Sequence, residues 1–123
     1  MTQEEKELLI KDLCARLPYG VKINENTQGD FTVIGLTMER VFTTCETEGC
    51  HNDFPVECVK PYLFPLSSMT EEQEKEYNNL NCYELGCFPH SEEALDYLIK
   101  NHFDYRYLIE KGLAIDATSL NIY

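Results

Sequence analysis

Apolar residues change their period near residue 65: before it they alternate with polar ones, and after it they recur at helical spacing. The chain opens with a helix all the same. Thr2 and Glu5 make a capping box, and Leu9, Ile10, Leu13, Cys14 and Leu17 fall on one face, predicting a helix over 3–17 that Pro18 stops. Val21 and Ile23 alternate with Lys22 and Asn24 as a short half-buried strand, and 26–30 is a turn. Phe31 to Met38 is the best strand candidate, with Gly35 marking a bulge or a close backbone approach. Arg40 to Thr44 continues as a strand, Cys45 to Phe54 reads as a hairpin tip, and Val56 to Leu63 is the last strand of this half.

Pro61 and Pro65 each remove a backbone donor, so the segment around Tyr62, Leu63 and Phe64 is expected at a sheet edge, or as an extended strap on the core. Thr70 and Gln73 form a second capping box and start a helix over about 71–80. Cys82 to Phe88 reads equally as an extended segment or a loop. Ser91 is the expected cap of a helix with Leu95, Leu98 and Ile99 on one face, ending at Asn101-His102-Phe103. Asp104 is the expected cap of another, carrying Tyr105, Leu108 and Ile109 and closed by Gly112. Residues 116–123 have no period and are expected to lie over the surface.

These elements predict a single α+β domain over 1–123, mostly strands from 20 to 64 and mostly helical from 70 to 113. An N-terminal helix packs on a small bent antiparallel sheet or partial barrel, and two or three C-terminal helices pack on it. Leu13, Val33 and Leu98 are expected in the core. At 123 residues the chain is long enough for one core of this kind.

Charge narrows the function. The chain carries 10 Lys and Arg against 22 Asp and Glu, a net charge of -12. Such a field repels phosphate, so no direct nucleic-acid binding is expected, and a protein partner with a basic surface is favoured. No apolar run approaches membrane-spanning length, and the polar Met-Thr-Gln-Glu-Glu-Lys start is unlike a signal peptide. The expected location is therefore cytoplasmic, without membrane contact and with free, reduced thiols. Glu71, Glu72, Glu74 and Glu76 open one helix, and Glu92, Glu93 and Asp96 open another. If both starts point the same way they form one acidic patch, which makes Glu71, Glu72 and Glu74 partner-binding candidates. Tyr97, Tyr105 and Tyr107 are candidates too, because a ring with a polar tip suits an interface as well as a core boundary.

Catalytic chemistry is thinly represented. Cys45-x4-Cys50-His51 with Cys58 has zinc-ligand types, but its spacing is looser than structural zinc sites use, and Cys58 also fits a strand core. Cys82 and Cys87 are another loose pair, and there is no Cys-x-x-Cys. His51, His90 and His102 sit in no HExxH frame, and His102 fits a capping or core role. No GxSxG, Walker loop or GxGxxG is present. No catalytic residue, resident metal or cofactor is expected.

Three segments resemble small uncharacterised proteins of gut-bacterial prophages and other mobile elements. They are Glu4 to Ile23, with its Leu17-Pro18-Tyr19-Gly20 stop; Val59 to Leu63 with Ser67 to Glu72; and Asn101 to Arg106 with Leu108 to Leu113. The resemblance implies a bacterial or phage origin and an accessory role, and it supplies no mechanism. The leading expectation is a non-catalytic accessory protein that binds another protein. The rivals are an acidic DNA mimic that occupies a nucleic-acid-binding protein, and a small metal-dependent enzyme or module.

Overall fold

The computed structural model describes residues 1–44, 51–81 and 92–123. Helix α1 (Gln3–Arg16) starts at the expected capping box: Glu5 N–H donates to Thr2 Oγ1 at 3.1 Å, and Thr2 N–H to Glu5 Oε1 at 2.8 Å. Leu9 and Leu13 face the core, whereas Cys14, expected on that face, is exposed. A 3-10 turn at Leu17–Tyr19 ends at Gly20, whose φ of 68° is the left-handed geometry glycine accepts without strain. The chain then enters an antiparallel ladder of β1 (Lys22–Glu25), β2 (Gly29–Leu36), β3 (Arg40–Thr44) and β4 (His51–Pro55). The register slips between Val33 and Gly35, which places a bulge where Gly35 marked one. His51 to Phe54 are strand rather than hairpin tip, because Thr44 pairs with His51 and Val41 with Phe54.

The proline-bearing segment departs from expectation. Val56–Cys58 is a 3-10 turn, not strand, and Cys58 is exposed on it. β5 (Val59–Pro65) lies inside the sheet, not at its edge: the order is β4-β3-β2-β1-β5-β6, with β6 at Phe103–Asp104. The strand tolerates its prolines because it changes partner at Pro61. Val59 to Pro61 pair with β1, and Pro61, opposite Ile23, is the last rung of that ladder. Beyond it, Tyr62 and Leu63 pair in parallel with β7 (Ile115–Asp116), and Phe64 and Pro65 in parallel with β6. The sheet is therefore open and mixed rather than purely antiparallel. Its parallel pairs follow a long crossover, which here carries the helices.

That crossover holds α2 (Glu71–Asn81) and α3 (Glu92–Lys100). The second capping box forms as expected, with Gln73 N–H on Thr70 Oγ1 at 3.2 Å and Thr70 N–H on Gln73 Oε1 at 2.9 Å. Leu98 and Ile99 are buried and Leu95 is half-buried, as the helical face predicts. The expected cap at Ser91 and the 82–88 segment lie outside the described residues. No helix forms over 104–112. Asp104 does act as a cap, accepting from Leu108 and Ile109 N–H at 2.9 Å each, but Tyr107 at φ 59° breaks the right-handed path. Residues 116–123 are tied in more firmly than expected: Ala117 is buried, and its N–H donates to Leu63 at 2.9 Å.

Leu9, Leu13, Val21, Ile23, Val33, Val41, Val56, Val59, Leu63 and Leu108 form one core between α1 and the sheet. Leu98, Ile99, Phe103 and Tyr105 form a second beneath the helices. Leu13, Val33 and Leu98 are 0%, 2% and 1% exposed, as expected.

Candidate functional site

The zinc-type residues are not brought together among the described residues. His51 is exposed at the start of β4 and Cys58 is exposed on its turn, while Cys45 and Cys50 lie outside the described residues. So do Cys82, Cys87 and His90. Among the described residues no group of three or more His, Cys, Asp or Glu is placed to hold a metal.

The acidic residues are exposed but do not gather as expected. Tyr97 Oη donates to Glu76 Oε2 at 2.9 Å, the Tyr77 and Tyr97 rings sit 6.5 Å apart, and Gln73 shares a cleft with Lys100 and Asn101. Residues early in α2 therefore meet residues late in α3, so the two helices run antiparallel. Glu71, Glu72 and Glu74 lie beside the end of α3, and Glu92 and Glu93 lie at the far end. One helix length separates them, roughly 15 Å, which exceeds the screening length at physiological salt. Of the tyrosine candidates, Tyr97 is half-buried on Glu76, Tyr105 is buried, and Tyr107 is exposed. Burial removes Tyr105 from any docking surface.

Tyr105 belongs to a cluster of buried charge that the sequence did not announce. Asp12 and Arg16, one helical turn apart on α1, both have fully buried side chains joined Nε to Oδ2 at 2.8 Å. Arg16 also donates to the carbonyls of Ile99 and Phe103, and Arg106 reaches Asp12 Oδ1 at 3.3 Å. Arg106 stacks 4.7 Å over the Tyr105 ring. Each cation has an anion or a carbonyl, so the cluster pins α1 to the end of α3 and to β6.

Two surface features remain. On the β2–β3 hairpin, Ile34, Met38 and Phe42 are 52%, 66% and 40% exposed. Ile34 alternates with buried Val33 and so stands opposite the core, and the bulge sets Gly35 across from exposed Phe42. The second is a cleft of about 430 Å³ between the start of α2, the end of α3 and the last residues of the chain. His102 lines it at φ 61° and is buried. Its ring stacks on Tyr123 with centroids 4.0 Å apart. Burial foremost, then the Arg16 charge, pushes the His102 pKa down to about 4, against a hydrogen bond to the Tyr19 main chain. Among the described residues Nδ1 has no hydrogen-bond partner. Tyr123 closes the gap left where Pro61 ends the β1–β5 ladder: Lys22 N–H donates to its Oη at 2.8 Å, and Oη donates to the Tyr62 carbonyl at 2.9 Å. Position alone revealed neither feature, since exposed apolar residues and one histidine are ordinary in a sequence.

No family model matches the chain, and neither a curated protein nor a solved structure matches it.

Proposed function

We propose that the protein is a non-catalytic accessory protein, of the kind carried by phages and mobile elements, that acts by binding another protein through the outer face of the β2–β3 hairpin. One observation carries this reading: three large apolar side chains, Ile34, Met38 and Phe42, stand exposed along a single hairpin. Scattered apolar exposure is ordinary, but neighbouring apolar residues on one rigid hairpin are what an interface buries at its centre. The Arg40–Asp53 ion pair beside Phe42 supplies the polar rim such a centre needs. The net charge of -12 favours a partner that is basic. The resemblance of residues 4–23, 59–63 with 67–72, and 101–106 with 108–113 to prophage proteins supports the accessory role.

The test is affinity capture by the purified chain from its native host, beside a variant carrying Ile34→Asp and Phe42→Asp. The wild type is expected to retain one partner stoichiometrically, and the variant, folded by circular dichroism, to lose it by roughly a hundredfold. Equal capture by both proteins, or no retained partner, overturns the proposal.

A further inference from the structure

The cleft beside His102 differs from the rest of the surface in its chemistry. The chain holds 22 Asp and Glu, yet among the described residues no carboxylate lines this cleft. Phe64 and Tyr123 offer aromatic faces, and their rings sit 5.9 Å apart. Gln73 and Asn101 offer amides of complementary sense. Gln73 spends Oε1 on its capping box, which leaves Nε2 to donate. Asn101 spends Nδ2 on the Tyr97 carbonyl, which leaves Oδ1 to accept. His102 adds a buried ring nitrogen. Nδ1 has no hydrogen-bond partner among the described residues. A buried polar atom left unpaired is costly, so a ligand group that pairs with it is strongly rewarded.

We propose that this cleft binds a small planar heteroaromatic molecule bearing both hydrogen-bond donors and acceptors on its edge, of the purine-base type. Aromatic faces stack on any such ring, and amide side chains pair with mixed donor and acceptor edges. Nδ1 is buried at the cleft, on the ring whose face Tyr123 covers. Tyr123 sits on a strap tied to β1 by Lys22, whose Nζ donates to the Ile122 carbonyl at 2.9 Å and whose N–H holds the Tyr123 hydroxyl.

The experiment is a nuclear magnetic resonance titration of the isotope-labelled full chain with adenine, and with ribose as the non-aromatic control. Adenine is expected to cause saturable shifts at His102, Phe64 and Tyr123, and ribose none. Gln73→Glu keeps an acceptor for the capping box but removes the Nε2 donor, and His102→Asn keeps a residue tolerant of positive φ. Each is expected to weaken adenine binding about tenfold, whereas Ile34→Asp on the outer sheet face changes nothing. Should His102→Asn fail to fold, the wild-type shifts and Gln73→Glu decide. Shifts that grow linearly without saturating, that map to the Ile34 face, or that survive Gln73→Glu unchanged overturn the proposal.

Discussion

At the scale of single residues, the decisive groups are charges placed where sequence patterns expect none. Asp12 and Arg16 stand one turn apart on α1, a spacing that in sequence says nothing of burial. Only the fold supplies what makes them structural, namely the carbonyls of Ile99 and Phe103 and the second cation, Arg106. That is why the apolar face of α1 was legible in Leu9 and Leu13 while its buried ion pair was not. Removing one member of a buried pair leaves the other uncompensated. Asp12→Ala is therefore expected to cost about 3–5 kcal/mol in urea unfolding, and a loss under about 1 kcal/mol would mean the cluster is hydrated. His102 makes a separate prediction. Its folded pKa of about 4 lies below the usual histidine value near 6.5, so the unfolded chain binds the extra proton as pH falls. The stability from keeping this ring neutral is present above about pH 6.5 and is lost on the way down to about pH 4, on the order of 3 kcal/mol in all. Comparing wild type with His102→Asn between about pH 7 and 5 separates this from carboxylate titration, most of which lies lower. The wild type should lose more stability over that interval. Equal losses, or a His102 resonance titrating near pH 6.5, would refute it.

At the scale of elements, local signals were read well and partner-dependent ones were not. Both capping boxes are four-residue patterns that close on themselves, and both formed. The bulge at Gly35 followed from one glycine in a strand. By contrast, the Asp104 cap was read correctly and its consequence was not. The same carboxylate that starts a helix also holds a turn, and the left-handed Tyr107 decided between them. A sound rule puts the Pro61 segment at a sheet edge or in an extended strap on the core. The rule did not cover a strand that hands over from β1 to β6 and β7 at its proline. That handover leaves the Lys22 N–H and the Tyr62 carbonyl to be joined through the Tyr123 hydroxyl. Tyr123→Phe keeps the ring stack and removes the bridge. It should cost about 1–3 kcal/mol, and amide exchange should speed up at Lys22 while Phe31, deeper in the ladder, is unchanged. Unchanged exchange at Lys22 would show that another acceptor takes the bond.

At the scale of the whole molecule, the antiparallel pairing of α2 and α3 governs the electrostatics. With the acidic turns at opposite ends of the helix pair, the net charge of -12 acts mainly as self-repulsion. A few ion pairs oppose it, such as Lys6 with Glu39 and Glu57 at 2.8 and 2.9 Å, and these weaken in salt. The two effects have opposite signs, so salt tells which dominates. Repulsion among 22 acidic groups with 10 basic ones to offset them should win, because so few pairs stand against that excess. Raising sodium chloride from about 0.02 to 0.5 M, which shortens the screening length several-fold, should raise the melting temperature by a few degrees. Lysines in place of Glu71, Glu72 and Glu74 halve the net charge and should shrink that rise, provided circular dichroism shows that α2 survives cations in its first turn. The same variant should capture the protein partner nearly as well as wild type if, as proposed, the contact lies on Ile34 and Phe42. A melting temperature that falls with salt would assign the stability to the ion pairs. Loss of the partner in the lysine variant would move the binding surface from the hairpin to the start of α2.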